Sequence, residues 1–122
     1  MNMIRLGDVA RCRSGDKGNH ANLGVIALLP KDYELLKEHL TPEMVKAYFG
    51  GLGITRIERF ELPNIFALNF MLYDALAGGA SRSLRTDTQG KLIGTAALEI
   101  RIFWDHLNLN DPELRHKTRI GL

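Results

Sequence analysis

Two apolar stretches with a period of two flank one long polar connection, and this arrangement limits the fold more than any other feature. In residues 21–29, Leu23, Val25, Ala27 and Leu29 fall on alternate positions, the pattern of a strand with one buried face. Residues 4–13 alternate in the same way. Ile4, Leu6, Ala10 and Cys12 share one side, Arg5, Val9, Arg11 and Arg13 the other, and Gly7-Asp8 is a place for a bulge. Between them lies RSGDKGNHAN, Arg13 to Asn22. A tight hairpin needs only about two to five turn residues. The spacing therefore predicts two paired strands joined by a long, highly polar loop.

Helical signals follow. Tyr33, Leu36 and Leu40 have helical spacing over residues 30–40. Thr41 is a good N-cap, Pro42 suits the first helical position and Glu43 the positive end of the dipole. Met44, Val45, Tyr48 and Phe49 form an apolar stripe that Gly50-Gly51 ends. Residues 54–62 predict an edge-like strand, because Arg56, Glu58, Arg59 and Glu61 interleave with Ile57 and Phe60. Ile65, Leu68, Leu72 and Leu76 line one stripe and predict a helix over residues 65–76. Residues 81–86 read as a fourth strand, and residues 89–104 as a helix giving way to an extended end. The element order predicts an α+β, ferredoxin-like sandwich: a mixed sheet of about four strands, helices on one face, and right-handed parallel crossovers.

The chain has 122 residues, 45% apolar and 25% charged, suited to one domain with its own core. We assign residues 1–104 to that domain and the polar residues 105–122 to an extension that packs on a neighbour or is partly mobile. A net charge of +2 is too small to imply nucleic acid, and no basic-aromatic strand motif is present. No apolar run reaches a membrane span, and the first residues lack a signal-peptide core. The sole cysteine, Cys12, forms no internal disulfide, so a cytoplasmic location is expected.

The quoted loop carries the chemistry. Gly15 and Gly18 permit exposed amides that form an anion nest, Lys17 adds a point charge and Arg13 a planar fork. Ser14 lies among them. Asn22 can orient a ligand, and Asp16 can order Lys17 or act as an acid or base. The plain alternative is a solvated loop with an Asp-Lys pair worth little energy. A second cluster, Ser83, Arg85 and Asp87 with Gly90 and Lys91 beyond, again sets cations and a carboxylate near a glycine turn. A charged edge strand that blocks aggregation explains it as well. Asn69, inside FALNFMLYDAL, is costly if buried without partners, and either enters a site or satisfies backbone groups. His20, His39, His106 and His116 have no metal-ligand spacing among themselves or with Cys12. No metal and no cofactor are expected.

The segment RSGDKGNHANLGVIAL resembles the hallmark segment of the AtuA-like family, named for the acyclic terpene utilisation protein A of bacteria. Three further stretches resemble the family: Glu61-Leu62-Pro63-Asn64, Ala67-Leu68-Asn69-Phe70, and Gly78-Gly79 through Ser83-Leu84-Arg85 to Asp87, Gly90 and Lys91. The likeness runs from Arg5 to about Leu98, and residues 105–122 match no family pattern. The resemblance implies a ferredoxin-like module that follows a much longer N-terminal region in large members. It implies a setting in the breakdown of terpenoid or branched acids through acyl-CoA intermediates. A small copy then resembles a split version whose other half is a separate chain.

Three functions are compatible with these residues. The first is an accessory or subunit module that binds an anionic metabolite, a CoA thioester being favoured. Arg13, Ser14, Gly15, Lys17, Gly18, Asn22, Asn69, Ser83, Arg85 and Lys91 would hold the ligand. The second is an enzyme transferring protons on an acyl-CoA, with Asp16 or Asp87 as base and Lys17 as oxyanion stabiliser. The third is a structural oligomerisation module. A homo-oligomer, or a complex with a larger chain, is expected in each case.

Overall fold

A computed structural model describes residues 2–76 and 90–104. Strand β1 (Asn2–Arg5) is followed by a 3-10 turn (Leu6–Asp8), then by the hairpin of β2 (Ala10–Lys17) and β3 (His20–Ala27). Helices α1 (Pro30–His39) and α2 (Pro42–Tyr48) lead to β4 (Arg56–Leu62) and β5 (Ala67–Tyr73). Helix α3 (Gly90–Ala97) and strand β6 (Arg101–Trp104) complete the described chain.

The sheet has four strands in the order β2-β3-β5-β4, and β1 pairs with β6 in a separate two-stranded ladder. Every pairing among the described residues is antiparallel, so the expected mixed sheet is corrected to an antiparallel one. Strands β3 and β4 still run parallel to each other, because each is antiparallel to β5, which lies between them. A helical crossover with a strand inserted in its middle is the split β-α-β arrangement of the ferredoxin-like class.

Ladder register sorts the side chains. Cys12, Val25 and Leu68 fall in one cross-strand row, and Ser14, Leu23, Phe70 and Arg59 in the next. Val25, Leu68, Leu23 and Phe70 are fully buried under the helices. Helix α3 lies over β2 and β3, α1 over β3, and α2 beside β4. Arg59 ties the layers together by donating from Nη1 to the carbonyls of Lys37 (2.8 Å) and Leu40 (2.9 Å). Those carbonyls end α1 and lack partners within the helix, so a part-buried guanidinium both caps them and complements the dipole. Thr41 caps α2 as expected, its Oγ1 accepting from the Met44 N–H at 3.2 Å.

Two element assignments are overturned. Residues 4–13 are not one strand: the 3-10 turn breaks them, buries both Leu6 and Val9, and sends β1 to a different ladder from β2. Residues 65–76 form no helix. Most of this segment is β5, where Leu68, Phe70 and Leu72 are buried while Asn69, Met71 and Tyr73 are partly exposed. Leu68, Leu72 and Leu76 satisfy a four-residue spacing and a two-residue one equally, and pairing with β3 and β4 on both sides decides for the strand. The end of the chain reads as expected, with a helix over residues 90–97 followed by extended β6. The strand expected over residues 81–86 and the extension at 105–122 lie outside the described residues.

Candidate functional site

The polar segment Arg13 to Asn22 is not a loop. Strand β2 runs to Lys17, β3 starts at His20, and Gly18-Asn19 alone make the turn. Gly18 has φ 70°, a backbone that side chains resist and that the first position of a primed two-residue hairpin turn requires. The expected nest of Gly15 and Gly18 amides is therefore replaced by a ladder in which Gly15 stands opposite Asn22. The signal was present in the sequence, since Gly-Asn between two alternating runs is a hairpin signature.

Alternation then divides the hallmark residues between the faces of the sheet. Ser14 and Asp16 fall on the helix-covered side, opposite Leu23 and Ala21. Ser14 Oγ accepts a 2.6 Å hydrogen bond from the Gly94 N–H of α3. A Cβ at Gly94 would stand 3.0 Å from both Ser14 N and Oγ, so helix and strand meet here at a distance only glycine allows. Ser14 thus bonds α3 from the covered face, and Asp16 leaves the opposite face from its supposed partner Lys17.

The other face carries Arg11, Arg13, Gly15 and Lys17 on β2, then His20, Asn22, Gly24 and Ile26 on β3. It continues with Ala67, Asn69, Met71 and Tyr73 on β5, and ends with Arg56, Glu58, Phe60 and Leu62 on β4. One cross-strand row reads Arg13, Gly24, Asn69, Phe60, and the adjacent row Gly15, Asn22, Met71, Glu58. Asn22 Nδ2 donates to Asn69 Oδ1 at 3.5 Å, so the two amides sit together in mid-sheet. Arg13 and Lys17 are exposed on the β2 edge. Across the face, Ile26, Phe60 and Leu62 are 36%, 47% and 41% exposed. The face therefore grades from a cationic edge through paired amides to an apolar margin.

Gly15 and Gly24 lie in the floor of this face, and neither is demanded by the fold. Positive φ among the described glycines is confined to Gly18 and Gly53. A Cβ on Gly24 would meet Arg13 O at 3.8 Å and Asn69 Oδ1 at 3.9 Å, and one on Gly15 would meet Asn22 Oδ1 at 3.4 Å. A glycine inside a strand costs about 0.5–1 kcal/mol relative to alanine, and it commonly marks a place that another molecule approaches closely.

At the hairpin end, Lys17, His20, Tyr73 and Arg56 form the last row. The His20 and Tyr73 rings meet edge to face at 5.1 Å, and Arg56 stacks over Tyr73 at 4.2 Å. Tyr73 donates to Glu58 Oε1 at 2.6 Å, and this bond raises the phenol above its ordinary pKa. Cys12, on the covered side, is pushed by burial from 9.0 up to about 12, which makes it an inert thiol. Among the described residues no three His, Cys, Asp or Glu side chains converge to hold a metal ion. No helix there is long and apolar enough to cross a membrane.

The structure thus brings Arg13, Gly15, Lys17, Asn22 and Asn69 onto one face and separates Ser14 and Asp16 from them. Gly18 is in the turn. Lys91 belongs to α3, but its side chain, like Ser83, Arg85 and Asp87, lies outside the described residues. Sequence reasoning missed Gly24, Phe60 and Leu62 and set His20 aside as a surface histidine. Correct register alone would have found all four.

Fold and face together define a ferredoxin-like domain with helices on one side of its sheet and an open, basic-edged surface on the other. Residues 4–103 match the family model of the AtuA ferredoxin-like domain, and the chain belongs to that family. No curated protein and no solved structure matches it.

Proposed function

We propose that this domain is an accessory or subunit module of acyl-CoA or terpenoid catabolism that binds an anionic acyl metabolite, a CoA thioester above all, on its open sheet face. The observation that carries the reading is the pair Gly15 and Gly24. Neither conformation nor packing requires them, and together they leave a bare strip between the Arg13–Lys17 edge and the Asn22–Asn69 pair. Phosphate or carboxylate groups suit Arg13, Arg11 and Lys17. The amides orient the polar middle of the ligand, and an acyl chain reaches Ile26, Phe60 and Leu62. Ser83, Arg85 and Lys91 would add to this site only by reaching the same face.

Catalysis by Asp16 with Lys17 has less support, because the two side chains leave opposite faces of β2. Calorimetric titration with an acyl-CoA tests the binding reading. The unaltered protein should bind, and Arg13→Ala with Lys17→Ala should weaken binding and flatten its salt dependence. Equal binding by that double variant would sink the site. Native mass spectrometry of the protein from its source cells tests the subunit reading, which predicts a complex with a larger chain or a further copy.

A further inference from the structure

We infer that His20 is a ligand-binding residue of this face, held as the Nε2–H tautomer so that it donates one hydrogen bond to the bound anion. The inference rests on the binding reading above and names a contact within it. His20 Nδ1 accepts from the Asp74 N–H at 2.8 Å. A ring nitrogen that accepts from an N–H carries no proton of its own, so in the neutral ring the proton is on Nε2. Nε2 lies across the ring and is directed away from Asp74.

Several features fix this arrangement. Asp74 has φ 63°, a left-handed conformation that costs a non-glycine residue on the order of 1 kcal/mol or more. Its carboxylate is anchored by Thr55 Oγ1 at 2.5 Å, and its Oδ1 lies 3.7 Å from His20 Nδ1. The neighbouring turn is tied to the hairpin tip by the Leu76 N–H donating to Asn19 O at 2.9 Å. Tyr73 supports the ring edge to face. An unusual backbone is thus used to aim one N–H at one imidazole nitrogen. The ring remains about one-third exposed, opposite Lys17 in the ladder and two residues from Asn22. A histidine with one nitrogen locked and the other left open beside a lysine suits an anion that needs a directed donor as well as a charge.

The experiment combines nitrogen-15 NMR of the His20 ring with titration of coenzyme A into His20→Asn and His20→Gln. Asn places an acceptor near Nδ1 but no donor near Nε2; Gln places an amide donor near Nε2. In its neutral form the ring of the unaltered protein should show Nε2–H with Nδ1 unprotonated, and Asp74→Gly, which keeps the N–H, should show the same. Affinity should fall roughly tenfold in His20→Asn and return to within about threefold in His20→Gln. An Nδ1–H tautomer, or unchanged affinity in His20→Asn, overturns the inference alone. Failure of the unaltered protein to bind coenzyme A overturns the proposed function and this inference together.

Discussion

The two faces of the four-stranded sheet are made by the same strands, residue by residue in alternation, yet they obey different rules. On the covered face packing accounts for the apolar positions: Leu23, Val25, Leu68 and Phe70 are fully buried, and Gly94 is small because α3 touches Ser14. On the open face the glycines, amides and cations have no such internal reason. Gly94 and Gly24 are chemically the same residue, but one is required by its neighbours and the other leaves room that the protein itself does not use. Residue type therefore says little until the face is known.

That contrast can be broken in order of expected effect. Phe70→Ala should destabilise the domain by about 3–5 kcal/mol, measured by urea unfolding, since it removes a fully buried ring from the covered face. A cost below about 1 kcal/mol would mean that the helices do not press on this face. Gly94→Ala should cost about 1–3 kcal/mol, because helix or strand must move to admit a Cβ 3.0 Å from Ser14 N. Gly24→Ala should change stability by no more than about 1 kcal/mol, in the stabilising direction, while acyl-CoA binding weakens. A large loss of stability there would assign Gly24 to packing and remove the main support for the site.

The last effect is absent at neutral pH and appears only in alkali. The Cys12 thiol has a folded pKa raised to about 12 from 9.0. Its contribution to stability is fully present below pH 9.0 and is lost as pH rises towards about 12, because the unfolded thiol ionises first. Alkylation of the native protein by iodoacetamide at pH 8 should be correspondingly slow, and Cys12→Ala should remove that part of the alkaline loss.

The helices and the edge strand were legible in the sequence because short-range physics specifies them. Thr41 and Pro42 announce a helix start whatever lies around them, and the charges of residues 56–61 announce an edge. Residues 65–76 were illegible for the opposite reason. Their leucines fit two periods, and only the flanking strands, distant in sequence, choose between them. The hairpin tip was misread because Arg13 to Asn22 looked too polar for strands, yet an open face tolerates polar residues on every second position. Asn22 and Asn69 were each visible as unusual amides. Their meeting depends on the β3–β5 register, which no local signal encodes.

The β1–β6 ladder sets Asn2 beside Trp104, so the first and last described residues lie side by side. A unit built this way works as a cartridge. Segments attached before Asn2 and after Trp104 would therefore start from neighbouring points. Termini that lie side by side are the geometry that lets a domain be inserted into a longer chain without moving its strands.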